Sequence, residues 1–461
     1  MDIKTTLELP EIGVFSQTPF NEFISLRDRH LVRALDPITI KVSDFNIMRM
    51  VTNDMIRTMS KFEYKPLTHN QLLNQKTGPL KSRYINAYKR LKDGVAPNPM
   101  ISAFIKLEKF TEPKLETKAP RMIQHRSYEY TYLLNRYLQP IDKHCCTSED
   151  LLWDQPLWSF YGKAKDVKAL ASQVQYCWEQ FLEPVALCLD VTEWDGSVKR
   201  EHLICEHQIY NSIINDSRIA KLLNCQLKSK GRTQFGLRYS VDGTRASGEY
   251  NTSMGNSNIN ILIIKCVMIK CGIHKFRAMV NGDDSIIFIE RSDLHKFNIN
   301  KYNDFGFNVK LDRVCHLLEQ IEFCQMSPVY FPDGYRFIRN PVRLLSRSCI
   351  MLNDYSNCVD RYISSIALCE LALNRGVPML QNFALKLIEL SGFARPLAKA
   401  KVYKAKFEPT LRTLDICDQT RESFEIAFSI PIIEQINFER SLGPCVLTNN
   451  FISKYKNYHR L

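Results

Sequence analysis

"MVNGDDSIIFIE" (Met279 to Glu290) is an apolar, strand-forming run interrupted by two adjacent carboxylates, Asp283 and Asp284. Adjacent carboxylates repel each other. Holding them beside apolar neighbours without a partner is costly, or leaves one of them protonated. The flanking "KFRAMV" and "SIIFIE" favour strands, and the Asn281-Gly282 dipeptide between them predicts a β-hairpin turn. Gly and Asp favour turns in any case, so the doublet alone leaves a plain hairpin tip open.

A second pair lies upstream in "LCLDVTEWDGSV". The short apolar run "PVALCLDV" predicts a buried strand with Asp190 at its end, and Asp195 follows in the turn into the next helix. If the two strands are neighbours in one sheet, Asp190 and Asp283 face each other at one edge. Two divalent cations held ~4 Å apart would neutralise such a cluster and support in-line phosphoryl transfer. Mg²⁺ is the expected ion, because it prefers carboxylate, water and phosphate oxygens; Mn²⁺ is expected to be able to substitute.

"SGEYNTSMGN" adds a second constraint. Ser247-Gly248 makes a flexible turn ahead of a helix, and Thr252 and Asn256 lie four apart on one helical face. The Asn256 amide offers both donor and acceptor, as reading a ribose hydroxyl requires, and Asp195 could accept from the same hydroxyl. A sugar lacking that hydroxyl would leave these groups unpaired, a strong basis for rejection. Ordinary helix capping is the plainer account of Thr252 and Asn256. Lys106, Lys109, Lys118, Arg121 and Arg126 form a basic stretch. Arg forks suit phosphate oxygens and Lys acts as a point charge, although any one of these cations could be a solvated surface charge.

Composition sets the frame. In 461 residues, Lys plus Arg number 62 against 49 Asp plus Glu, a net charge of +13 that favours a polyanionic partner. The length suggests about three domains or lobes. The 45% apolar and 24% charged content is that of an ordinary globular protein. The opening "MDIKTTLELPEIG" has no signal-peptide core, so the 15 cysteines are expected to be reduced thiols. His202, Cys205 and His207 lack a fourth local ligand and read as a helical face rather than a zinc site. No stretch reaches the ~18 apolar residues of a membrane span; "NINILIIKCVMIKCGI" is broken by Asn260, Lys265 and Lys270 and reads as a buried helix.

Along the chain, residues 1 to about 60 show no chemistry. Helices are predicted over Asp166 to Gln180, through "SVKREHLICEHQIYNSIIN", and over Thr252 to Lys270 with Gly272 as C-cap. "FNVKLDRV" and "IEFCQMSPVYFPDGYRFI" are strand-like. After Arg339 the chain is helical and basic. The layout is an α/β core between two larger helical or mixed regions.

These motifs together resemble the RNA-dependent RNA polymerases of positive-strand RNA viruses, most closely the tombusvirus and carmovirus type. "APRMIQHR" looks like the basic fingers motif, "DVTEWDGSV" motif A, "TRASGEYNTSMGN" motif B, "VNGDDS" motif C, "NVKLDR" motif D and "IEFCQMSPV" the motif E primer grip, over roughly Lys106 to Val329. The resemblance implies an α+β right-hand fold. Its parts would be an N-terminal extension and fingers (1–184), a palm of antiparallel sheet packed on helices (185–335, with a fingers insertion at about 206–245), and a helical thumb (336–461).

It further implies Asp190 and Asp283 as main metal ligands with Asp284 supporting. Asp195, Ser247, Gly248, Thr252 and Asn256 would surround the ribose, and Arg121, Arg126 and Lys118 the triphosphate. Lys310 would protonate the leaving pyrophosphate. Lys106, Lys109, Arg245, Phe323 and Cys324 would contact RNA. The implied partners are template and nascent RNA, ribonucleoside triphosphates and a membrane-anchored viral replicase protein, in the host cytoplasm at membrane-associated replication complexes. Trp194 stands where Phe is usual, and His125 where Pro is usual, without loss of a reacting group. Two rivals stay open: a reverse transcriptase, which Asp195 disfavours because an aromatic is expected at that position, and a non-catalytic RNA-binding scaffold.

Overall fold

The computed structural model describes residues 7, 9–31, 39–147, 160–353, 355–397, 412–443 and 456–458. In chain order its strands are β1 (Ile12–Phe15), β2 (Ile101–Ile105), β3 (Phe110–Thr111), β4 (Met122–His125), β5 (Pro184–Val191), β6 (Lys228–Thr233), β7 (Arg238–Asp242), β8 (Phe276–Asn281), β9 (Asp284–Glu290), β10 (Val309–Cys315), β11 (Met326–Phe331), β12 (Gly334–Arg339) and β13 (Lys456–Tyr458). Helix and sheet are mixed without a repeating strand–helix order, and the fold class is α+β.

The central sheet runs β10-β5-β9-β8 and is antiparallel throughout. Val185 to Leu189 of β5 and Ser285 to Ile289 of β9 are buried, which is why both segments read as continuous apolar runs. Helices Val167–Trp178 and Thr252–Cys271 pack against this sheet. The second helix is buried on almost every side from Met254 to Ile264, and Gly272 ends it at φ 67°. The predicted hairpin forms between β8 and β9, but one residue later than expected. Asn281 pairs with Asp284, so the two turn residues are Gly282 and Asp283. Gly282 takes φ 69°, and that backbone demand selects it as the first turn residue.

A second sheet, in the order β4-β2-β6-β7, was largely invisible to sequence reading. In "KSKGRT" the inward residues are Ser229, Gly231 and Thr233, small or polar, while Lys228, Lys230 and Arg232 face out. A half-buried strand with no large inward side chain leaves no apolar alternation to detect. Met122–His125 likewise forms a strand where the basic stretch suggested only charge. β1 pairs with β3 and, in parallel, with β13.

The helices after Arg339 were expected, and among them Val359–Leu373, Leu380–Leu390 and Asp418–Phe428 build their own core with the β11-β12 hairpin. The described cysteines are free thiols. His202 and His207 are hydrogen-bonded to the Phe305 carbonyl and the Gln226 amide at 2.9 and 3.1 Å, in keeping with a packed helix rather than a metal site. Among the described residues no helix is long and apolar enough to cross a membrane.

A fully buried ion pair joins the helix Arg200–Ile213 to the segment before Thr252: Arg245 donates to Glu206. Asn251 donates to the other Glu206 oxygen at 2.9 Å. Removing one partner of such a pair strands the other charge away from water. Glu206→Gln is expected to destabilise the chain by ~3–5 kcal/mol, read as a lower urea midpoint with an unchanged slope.

Candidate active site

The two acidic segments meet. β5 pairs with β9 up to Leu189 opposite Ser285, so Asp190 and Asp284 follow at the same end of adjacent strands. Asp190 is the solvent-exposed end of a buried strand. On its other side Lys310 of β10 is its direct partner and is itself exposed. The Gly282–Asp283 turn is held from below by the helix Thr252–Cys271. Asn260 donates to the Gly282 and Asp283 carbonyls at 3.0 and 3.1 Å, and Gly282 N–H donates to Ser257 Oγ at 2.8 Å. Ser257 and Asn260 were missed as positioning residues. Their signal was present: polar side chains three apart inside a helix that is otherwise buried and apolar.

Burial pushes the Asp284 carboxyl up to about 7, aided by the Asp283 charge and opposed by a hydrogen bond with Cys324. Burial also raises Asp283, with Asp190 adding repulsion while Arg121 and Arg29 oppose it. Both side chains still reach solvent. They stand at a concave surface, where water has access but the protein displaces much of it. Asp190 and Asp284 line a cleft of about 640 Å³ with Lys114, Asp312, Arg343 and Arg347.

Among the described residues no three ligand side chains converge closely enough to hold an ion alone. The donor set is instead an open one of neighbouring carboxylates with unsatisfied charge. That fits Mg²⁺, which binds through one or two carboxylates and keeps waters or takes phosphate oxygens for its other positions.

Beside the carboxylates, Asn256 Nδ2 donates to Asp195 at 2.9 Å, and Asn256 Oδ1 accepts from Arg245 Nε at 3.0 Å. Arg245 thus fixes which way the Asn256 amide points. Burial raises the Asp195 carboxyl to about 6, while Asn256 works against the shift. The turn Ser247–Gly248 docks on β4 instead of standing free. Ser247 Oγ donates to the Met122 carbonyl at 2.7 Å, and Gly248 N–H donates to the Gln124 carbonyl at 2.8 Å. A Cβ on Gly248 would lie 2.6 Å from that Gln124 oxygen, so only Gly permits this approach. Thr252 Oγ1 donates to the Ala246 carbonyl at 2.8 Å, a bond inside the turn.

Several expected contacts are corrected by these neighbours. Arg126, expected at the triphosphate, is buried and bonded to Glu249, the Pro99 carbonyl and Ser229, so its donors are spent within the protein. Arg245, expected at RNA, is fully buried in the Glu206 pair. Phe323 is 2% exposed and cannot offer its ring to a base. Lys109 donates to the Arg347 carbonyl at 2.5 Å, and burial lowers its pKa to about 8. Cys324 is partly exposed in the cleft wall, and Lys118 is exposed near Lys114. Arg121 and Lys106 share Glu108 at 3.3 and 3.0 Å and remain half-exposed.

Sequence reading also missed Arg29, Lys114, Arg343 and Arg347. Arg29 donates to the Ala119 carbonyl at 3.1 Å and lies close enough to Asp195 and Asp283 to favour their charged forms. Its own carbonyl sits against Gly196, where any Cβ would collide with it. None of these cations carries a local motif; the fold brings them in from distant segments.

Compared with known proteins, residues 27–448 match the model of a family described as viral RNA dependent RNA polymerase. The chain is 32% identical to the RNA-directed RNA polymerase of turnip crinkle virus over 318 residues, 66% of this chain and 40% of that protein. It is 30% identical to that of melon necrotic spot virus over 386 residues, 80% of this chain and 48% of the relative. With the carnation mottle virus protein it shares 31% over 342 residues, 71% and 44% of the two chains. The chain therefore spans about half the length of these relatives or less.

A carboxyl raised from 3.8 to about 7 leaves the folded chain holding more protons than the unfolded chain between those values. Its contribution to stability therefore falls as pH rises through that window. For metal-free protein, Asp284→Asn should raise the melting temperature above pH 7 and change it little near pH 4. It should also shrink the upward shift that Mg²⁺ gives the parent chain. Thermal melts across pH, with and without Mg²⁺, check both.

Proposed function

Because the chain belongs to the viral RNA-dependent RNA polymerase family, we propose that it copies a viral RNA genome from ribonucleoside triphosphates. One observation carries the proposal: Asp190, Asp283 and Asp284 meet at the ends of two adjacent strands, with the bonded Asp195–Asn256 pair beside them. Asp190 and Asp283 would be the main ligands of two divalent cations and Asp284 the supporting one. Such ions, when bound, activate a 3′-hydroxyl and screen the triphosphate and pyrophosphate charge.

The chain's own groups do the rest. Asn256 and Asp195 read the ribose 2′-hydroxyl, and the fixed amide makes a missing hydroxyl costly. Arg121 and Arg29, on the carboxylate side, steer the triphosphate in by charge. Lys310 stands across from Asp190 and is the candidate donor of a proton to the leaving pyrophosphate. A reverse transcriptase and a non-catalytic scaffold are not favoured. The hydrogen-bonding Asp195 suits a 2′-hydroxyl, and a scaffold has no use for repelling carboxylates.

Under this proposal the sheet β10-β5-β9-β8 is the palm and 185–335 its span. The region 1–184 supplies an extension and fingers, and 336–461 the thumb, which begins inside the β11-β12 hairpin. The insertion at about 206–245 returns to the fingers, a placement supported by β6 and β7 joining β2 and β4 in one sheet. The place of action would be the host cytoplasm, at membrane-associated replication complexes beside a membrane-anchored replicase partner. That part stands on the resemblance of the motifs alone.

Asp283→Ala should abolish nucleotide incorporation on a primed RNA template; full activity of the purified variant would refute the proposal. Asp195→Ala and Asn256→Ala should lower the ratio of ribo- to deoxynucleotide incorporation by about tenfold or more. That ratio comes from competing the two substrates in one assay.

A further inference from the structure

The sheet β4-β2-β6-β7 has one packed face and one open face. Ile101, Ala103, Ile105 and Met122 point inward onto Phe15 and Leu26 of the N-terminal segment. The register defines what faces out. His125 lies opposite Ser102, Ser102 beside Arg232, and Arg232 opposite Arg238, a row across all four strands. One row along, Ile123 lies opposite Phe104. Beyond it the Lys106 N–H donates to the Arg121 carbonyl at 2.8 Å, extending the ladder to a Lys106–Arg121 row on the same face. On the other side of Arg232, Lys230 lies opposite Ser240.

This is an unusual surface to leave in water. Two arginines directly opposite each other destabilise a strand pair. Among the described residues Lys230, Arg232 and Arg238 have no carboxylate within ion-pair distance. The acidic side chain in the outward register, Asp242, is paired with Arg200 at 2.6 Å. In the middle of these cations Phe104 is 38% exposed, with its ring edge-on to His125 at 6.1 Å.

The face also leads to the site. Arg121, at one end, acts electrostatically on Asp283. From Lys106 to Ser102 along β2 is about 13 Å at the usual strand rise, and Arg232 and Arg238 lie on the next two strands across. None of Phe104, Lys230, Arg232 or Arg238 lines the carboxylate cleft.

We propose that this open face binds the unpaired, not yet copied stretch of the RNA template. Its phosphates would lie on Lys230, Arg232 and Arg238, and one base would stack on Phe104. Unpaired cations supply the sequence-independent attraction to phosphate, and an exposed ring offers a platform that any base can use. A duplex keeps its bases stacked and cannot use the ring, so the face suits a single strand. The inference rests on the polymerase proposal only for the identity of the polyanion.

The test uses the full chain carrying Asp283→Ala, in which no copying occurs, so that RNA binding is measured apart from catalysis. A labelled RNA hairpin with a long or a short unpaired 5′ overhang is titrated at several salt concentrations. The comparison adds either the triple change Lys230→Ser, Arg232→Thr, Arg238→Thr or the single change Phe104→Ala. The triple variant should bind the long-overhang RNA about tenfold more weakly or worse, with a salt slope shallower by ~0.7 for each phosphate that is no longer neutralised. Binding of the short-overhang RNA should stay the same. Phe104→Ala should weaken long-overhang binding about fivefold or more without altering the slope.

Melting temperature is the control for folding. Relief of the Arg232–Arg238 repulsion should leave it unchanged or higher, where a structural role would lower it. Equal affinity of the triple variant and its parent for the long overhang would overturn the inference. So would a loss confined to anionic vesicles. So would a raised KM for nucleotide in the copying-competent chain with RNA affinity intact, since that outcome assigns the face to incoming triphosphates.

Discussion

A single buried guanidinium organises the centre of this molecule. Arg245 has no access to water, so its charge has to be balanced inside the protein, and Glu206 does so. The pair is costly to form, because both ions lose their hydration, and it is tolerable only when the remaining donors are used. Arg245 Nε bonds Asn256, which bonds Asp195 in turn. The consequence is directional. An asparagine amide left to itself can turn over, whereas this one has its oxygen committed to a cation and its nitrogen to a carboxylate. The sugar-reading pair is thus held by an interaction that itself touches no ligand.

The carboxylates work on the opposite principle. Their mutual repulsion is left uncompensated, and the framework carries the cost. β5 and β9 are buried enough to hold Asp190 beside Asp284, and Asn260 and Ser257 fix the backbone of the turn that bears Asp283. What remains is a concentration of negative charge in a partly dehydrated cleft. It is poised for cations that bring their own water and phosphate ligands. Nearby, Lys114, Arg343 and Arg347 crowd one another. The cleft therefore carries opposite excess charges on two sides, a field suited to a molecule that is anionic at one end and arrives with divalent ions.

Much of this is legible in the sequence itself. The buried strands around Asp190 and Asp283, the helix ending at Gly272 and the helical region after Arg339 all carry strong apolar patterns, and these dominate their local structure. The doublet and Asn256 are conspicuous because polar residues in buried runs demand explanation. What the sequence hid had two causes. Strands such as Lys228–Thr233 turn small residues inward, so their burial leaves no hydrophobic trace. And whether an arginine is a ligand or a strut depends on which carboxylate lies next to it. Arg126 and Arg245 look like phosphate readers in a basic stretch, but Glu249 and Glu206 lie far away in sequence and claim them. Exposed Arg121 and buried Arg126 are indistinguishable by type and spacing.

The close seat of the Arg29 carbonyl on Gly196 has a bearing on how the molecule comes into being. The amino-terminal segment leaves the ribosome first, yet the surface it must cover, beside Asp195, is made only much later. Until then Phe15 and Leu26 have no finished core to enter, because β6 and the turn before Thr252 are also still to come. The site can close only when the beginning of the chain returns to a part synthesised long after it, a non-local closure of the kind that slows folding. A segment without any chemical motif is in this sense the last piece laid over the turn that holds Asp195. Its grip on Gly196 makes the start of the chain answerable for the geometry of the middle.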